Sequence, residues 1–250
     1  MILLLAGFQL GAISQQSQQQ SSRVSIAERH YLTAKRLITN NCIDCMGSTK
    51  HGMEQGIKEM EAALAAGFTD QKAAYKLLSD AYNAMTTFSG HDEKEQQAFA
   101  QKENEAVAEV HRLDPQDPDF AVRYADTLKD KQEKLAIYKA VTEKYPLHTD
   151  AAFLAGMLLI EDTKTSEAIP YIAKAIANEK DPEAVVSYAK GVMGDLQGQN
   201  CPFPSAERWS QKFNHAFIEA TRGEGDPREM LEVKKQFLEE LVKQSCKTNP

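Results

Sequence analysis

Residues Asp114–Pro146 read DPQDPDFAVRYADTLKDKQEKLAIYKAVTEKYP, and this stretch decides the fold. It opens on Asp-Pro, runs through PDFAVRYADTL with Tyr124 and Ala125 at its middle, continues as EKLAIYKAVTEKYP and stops at Pro146. Apolar residues recur at helical spacing in both halves, and proline stands at the edges, where a helix begins or ends. The pattern predicts a helix, a short turn, a second helix and a proline stop.

Working outward, the same shape recurs. DPDFAVRYA at 117–125 and DPEAVVSYA at 181–189 are near copies, an internal repeat two units apart. Upstream, Ile26, Tyr31, Leu32, Ala34, Leu37 and Ile38 keep a helical period that Asn40 and Asn41 stop. A second helix, Met53 to Ala66, carries Ile57, Met60, Ala63 and Leu64 on one stripe and ends at Gly67. Lys72 to Met85 repeats the pattern with Tyr75, Leu78, Ser79 and Tyr82, followed by a turn over Thr86 to Asp92 and a long polar helix from Glu93 to Arg112. Downstream, SEAIPYIAKAIA places Pro170 in the first turns of its helix. GDLQGQNCPFPS is a turn-rich connector, and two further helices follow, one with Trp209, Phe213 and Phe217, the other with Leu231, Phe237, Leu238 and Leu241. β-branched alternation is nearly absent, so the class is all-α.

The composition, 42% hydrophobic and 26% charged over 250 residues, is that of a folded chain. A net charge of −7 argues against nucleic acid, whose phosphates need a basic face. It fits either a solvated acidic surface or an acidic groove for a basic partner. Met1–Ser14, MILLLAGFQLGAIS, is too short an apolar run to span a bilayer core of roughly 30 Å. It reads as a signal h-region with Ala12-Ile13-Ser14 as a cleavage site, although a basic n-region is missing and Phe8 stands where a lipoprotein signal needs cysteine. The expectation is an exported protein, periplasmic or secreted, with no stable membrane span after signal removal. If the segment is instead a buried helix, the protein is cytoplasmic. Residues 15–23 are a Gln/Ser-rich linker with too little apolar surface to offset the entropy of ordering.

No HExxH, Gly-rich phosphate loop or GxSxG motif occurs, and the six histidines are scattered. Cys42-Ile43-Asp44-Cys45 is the sharpest chemical motif. Haem attachment needs histidine where Met46 stands, zinc finds His51 as the nearest third ligand and no fourth, and the pair follows a helix end instead of starting one as a redox pair does. A small local disulfide is the reading kept beside these. No cofactor, metal or catalytic constellation is expected.

Tyr75, Leu78, Ser79 and Tyr82, then Tyr124, Ala125 and Leu128, then Ala155, Gly156 and Leu159, give the chain a resemblance to tetratricopeptide-repeat proteins, whose unit is a helical hairpin of about 34 residues. Val110, Leu113, Asp114 and Pro115, and later Tyr138, Val141 and Pro146, resemble the second helix and its proline exit. The resemblance implies an α-solenoid of antiparallel helical hairpins over residues 24–200, with 201–250 as a C-terminal capping hairpin. Small residues at Ala125, Gly156 and Ala189 let the helices of a hairpin approach closely.

In that family first-helix residues line the concave face. Here they are Lys76, Asp80 and Asn83, then Val122, Arg123 and Asp126, then Phe153 and Met157, and then Val186 and Lys190. Asp80 stands where a carboxylate-gripping clamp has asparagine, which argues against that ligand type. Phe153 and Met157 either form the apolar centre of a peptide groove or pack against neighbouring helices. In such a stack Cys42 and Cys45 are too far from Cys201 and Cys246 to pair across it, because a disulfide needs Cα atoms within about 7 Å. Cys201 and Cys246 flank the last hairpin and would meet at one end of it. The expected function is non-enzymatic: a scaffold, complex subunit or assembly factor that binds a protein partner. The rival is a thiol redox or metal protein acting through Cys42 and Cys45.

Overall fold

Aspartate starts the helices in the middle of the chain. The side chains of Asp70, Asp92, Asp117 and Asp130 each accept a hydrogen bond from a backbone amide in the first turn of the helix that follows. Such a cap satisfies donors with no partner inside the helix and contributes about 1 kcal/mol. The computed structural model describes residues 24–40, 49–90, 92–198, 206–222 and 227–243. Among the described residues the fold is all-α, eleven helices and no strand. They are α1 (Ile26–Asn40), α2 (Lys50–Ala65), α3 (Gln71–Phe88), α4 (Glu93–Leu113), α5 (Pro118–Thr127), α6 (Lys131–Lys144), α7 (Thr149–Glu161), α8 (Thr165–Asn178), α9 (Pro182–Gly198), α10 (Ala206–Arg222) and α11 (Pro227–Lys243).

The helices divide into two compact units, one up to Asp114 and one from Pro115. In the first, α1 packs on α2, α2 on α3 and α3 on α4, and α1 also touches α3. Its core holds Ile38, Met53, Met60, Leu78, Tyr82 and Met85. Gly56 lets α2 press against α1, since a Cβ there would come within 2.8 Å of Ile38 Cγ1. In the second unit α5, α6, α7 and α8 pack in succession, α7 and α8 both touch α9, and α10 packs on α9. The last helix, α11, lies against α10 and α8. Trp209, Phe213 and Phe237 meet in that unit's core, edge-on or tilted, with centroids 5.2 to 6.2 Å apart.

Four expectations change. The helix expected to end at Met85 continues to Phe88, because Phe88 packs against the first unit's core, and Gly90, at φ 59°, follows it. Pro170 is the sixth residue of α8, beyond the four amides that lack intrahelical acceptors, so it forfeits one helix bond on an exposed position. The turn-rich connector expected from Gly194 begins later, since α9 stays helical through Gly198. A cap should turn a polar face outward, yet α11 leaves Leu231 62% and Val242 63% exposed.

Candidate interaction surfaces

Lys76, Asp80 and Asn83 lie on α3 of the first unit, Asp80 and Asn83 exposed and Lys76 half-buried. The other residues expected in a groove lie on α5, α7 and α9 of the second unit. Val122 and Val186 are not surface residues: each is 7% exposed and belongs to the core. They occupy equivalent places in the two near copies. Val186 lies on α9, which α7, α8 and α10 flank, so more than a single stripe of that helix is buried.

Phe153 and Met157 are half-buried and join α7 to α9. The Phe153 ring stacks on Tyr188 with centroids 4.2 Å apart and planes 13° from parallel. Gly191 gives them room, for a Cβ there would stand 3.3 Å from Phe153 Cζ and 3.8 Å from Met157 Cε. The guanidinium of Arg123 sits over the Phe120 ring at 4.8 Å, and Asp126 accepts the hydroxyl hydrogen of Tyr138. Lys190 is exposed.

Tyrosine-to-carboxylate bonds recur between helices. Tyr82 donates to Glu61 at 2.8 Å, Tyr138 to Asp126 and Tyr188 to Asp150. Burial first, and then the carboxylate that each phenol faces, push all three phenols far above their ordinary value. They are structural ties, not acids or bases working near neutrality.

Glu179 gathers the polar contacts of the second unit. Its Oε2 accepts from Thr149 Oγ1 at 2.5 Å, and its Oε1 accepts from the amides of Lys180 and Asp181 at 2.7 and 2.9 Å. Burial opposes ionisation, but these donors and Lys234 outweigh it and hold the carboxyl below its usual range. Lys234 on α11 is 8% exposed and donates to the carbonyls of Ala177 at 3.3 Å and Glu179 at 2.7 Å. Burial lowers its pKa against the pull of Glu179. The ammonium therefore closes the C-terminal end of α8, which favours positive charge.

Two clefts had no sequence signal, because residues distant in the chain line each. One, about 620 Å³, lies in the first unit, with Leu64, Tyr75 and Leu78 beside Glu61, Lys102 and Glu105. Lys102 lies 5.3 Å from the Tyr82 ring centre and 3.7 Å from Glu61. The other, about 710 Å³, runs along α11 past Ala177. Cys42, Cys45, Cys201 and Cys246 lie outside the described residues. Among the described residues no group of three histidine, cysteine or carboxylate side chains is placed to hold a metal ion, and no helix is long and apolar enough to cross a membrane. No protein-family model matches the chain, and no curated protein or solved structure matches it either.

Proposed function

We propose that the chain is a non-enzymatic scaffold of the tetratricopeptide type, exported from the cytoplasm and acting as an assembly factor or fixed subunit of a larger complex. The spacing of the bonds between hairpins carries this reading. His148 reaches Asp119 across 29 residues. Lys131 bonds Glu161 and Gln132 bonds Asp162, each across 30. Lys174 bonds the Thr142 carbonyl and Asn178 the Pro146 carbonyl, each across 32. Bonds that recur at one unit's length, near the family's roughly 34 residues, are what stacked repeats make.

The partner site lies on the α7–α9 face, where Phe153 and Met157 are half-buried and Lys190 of α9 is exposed. An extended or helical segment with an apolar side chain and an acidic neighbour fits this mixture. A photoreactive residue at Lys190 should crosslink a protein partner in the native source. The same residue at Leu147, 78% exposed on the loop between α6 and α7, should not. Phe153→Asp should abolish the crosslink while helicity is kept. Equal capture from both positions, or capture indifferent to Phe153→Asp, would move the partner to another surface.

A further inference from the structure

The cleft along α11 has the pattern of a surface made to meet itself. Leu231, Lys235, Leu238 and Val242 follow one another at i, i+4, i+7 and i+11, a single stripe on a helix of 3.6 residues per turn. A different face of α11 is spent on the core, where Phe237 is 0% and Leu241 1% exposed. The outer stripe stays open: Leu231 and Val242 are exposed, and Leu238 is half-buried between them. Beside it, Lys235, Glu239 and Lys243 alternate in sign at intervals of four. That alternation favours neither a uniformly acidic nor a uniformly basic stranger.

We propose that the occupant is a second copy of this chain, docked antiparallel along α11 about a two-fold axis. Such an interface must be self-complementary: if one residue meets a second, the second meets the first. An axis passing between Gln236 and Phe237 carries Leu231 onto Val242 of the other copy and Lys235 onto its Leu238. The four-carbon stem of Lys235 lies across that leucine, and its ammonium reaches Glu239 of the other copy, one residue further along. Each of the two apolar contacts and the one ion pair then forms twice. Lys235 and Glu239 share a flank of the stripe, and an antiparallel two-fold brings like flanks together. Lys234, on the other flank, is already committed to α8. Ala177, a small residue of α8, lines the cleft beside the stripe.

The interface is small. A helix of 17 residues is about 25 Å long, so the dimer belongs with weak, transient associations, of roughly micromolar dissociation constant or weaker. Sedimentation of the full chain under reductant, which removes cysteine-linked dimers, should show reversible dimerisation with concentration. Lys235→Glu and Glu239→Lys should each weaken it by about tenfold, as close charge pairs across interfaces do. An equimolar mixture of the two variants, or the double exchange in one chain, should restore it, and Leu231→Asp should abolish it. Circular dichroism of every variant checks that the helices are intact. A chain monomeric at every concentration overturns the proposal. So does a dimer indifferent to all three substitutions, and so does a mixture of charge variants that fails to regain affinity.

Discussion

Gly156 on α7 lies against Ile172 on α8 so closely that a Cβ on the glycine would fall within 2.7 Å of Ile172 Cγ1. Ile172 is itself 1% exposed and has nowhere to move. Gly156→Ala should therefore destabilise the second unit by about 1–3 kcal/mol, the range for overpacking a filled core. Gly194, in α9, is the counter-case: nothing stands within 4 Å of a Cβ there. Gly194→Ala should stabilise by about 0.5–1 kcal/mol through helix propensity alone. Urea unfolding followed by Trp209, the chain's one tryptophan and 1% exposed, measures both.

The buried phenols make the protein sensitive to alkali. Tyr82, Tyr138 and Tyr188 have folded-state pKa values raised above the ordinary value of about 10. Their contribution to stability is whole below about pH 10 and is lost as pH rises through that value toward the raised ones. In the second unit Tyr138 and Tyr188 together should give a decline of at least about 2.7 kcal/mol per pH unit once unfolded phenols ionise, about 1.4 for each. Tyr138→Phe should make the decline shallower by one tyrosine's share. Ultraviolet titration should find these phenols un-ionised until the chain unfolds.

Lys234 should act with the opposite sign. Its folded-state pKa is depressed. Its contribution is therefore whole above the ordinary value of about 10.5 and lost as pH falls through the depressed value. The stability of the wild type relative to Lys234→Met should rise as pH climbs toward about 10.5. A difference that stays flat across that range would show that the ammonium is not strained by its burial.

Thr142 is 2% exposed, and its hydroxyl oxygen has no hydrogen-bond partner. Thr142→Val keeps the shape and removes the desolvated hydroxyl, so it should be neutral or stabilise by up to about 1 kcal/mol. The Thr142 carbonyl still accepts from Lys174 at 2.8 Å, so that bond is untouched. Thr142→Ser, which keeps the hydroxyl and loses the methyl, should destabilise by about 1 kcal/mol. Denaturant midpoints of the two variants, read from Trp209 fluorescence, test the pair together.

Helix identity was legible before any coordinate, because it follows from nearest neighbours along the chain. Apolar residues three and four apart, aspartate before a first turn, and glycine or proline at the ends all act within a few residues. The small residue at 156 was legible for the same reason, as a gap in an otherwise bulky stripe. Gly56 plays the same part against Ile38 and was missed, since no large residues frame it in the sequence.

The exposed face of each helix was not legible. Val186 sits on α9, which neighbours cover on more than one side, and Val122 on α5 is likewise in the core, so a single-stripe assignment put both on the wrong surface. Phe153 and Met157 could face a groove or a neighbouring helix, and only Tyr188 and Gly191, more than thirty residues downstream, decide that they join α7 to α9. Lys234 reads as an ordinary surface lysine until α11 folds back onto α8. By itself the sequence determined which segments are helices, because those forces act within a turn. The tertiary structure decided which faces are spent on the core and which remain for a partner. Burial is a property of what lies opposite a side chain, and what lies opposite is distant in the chain.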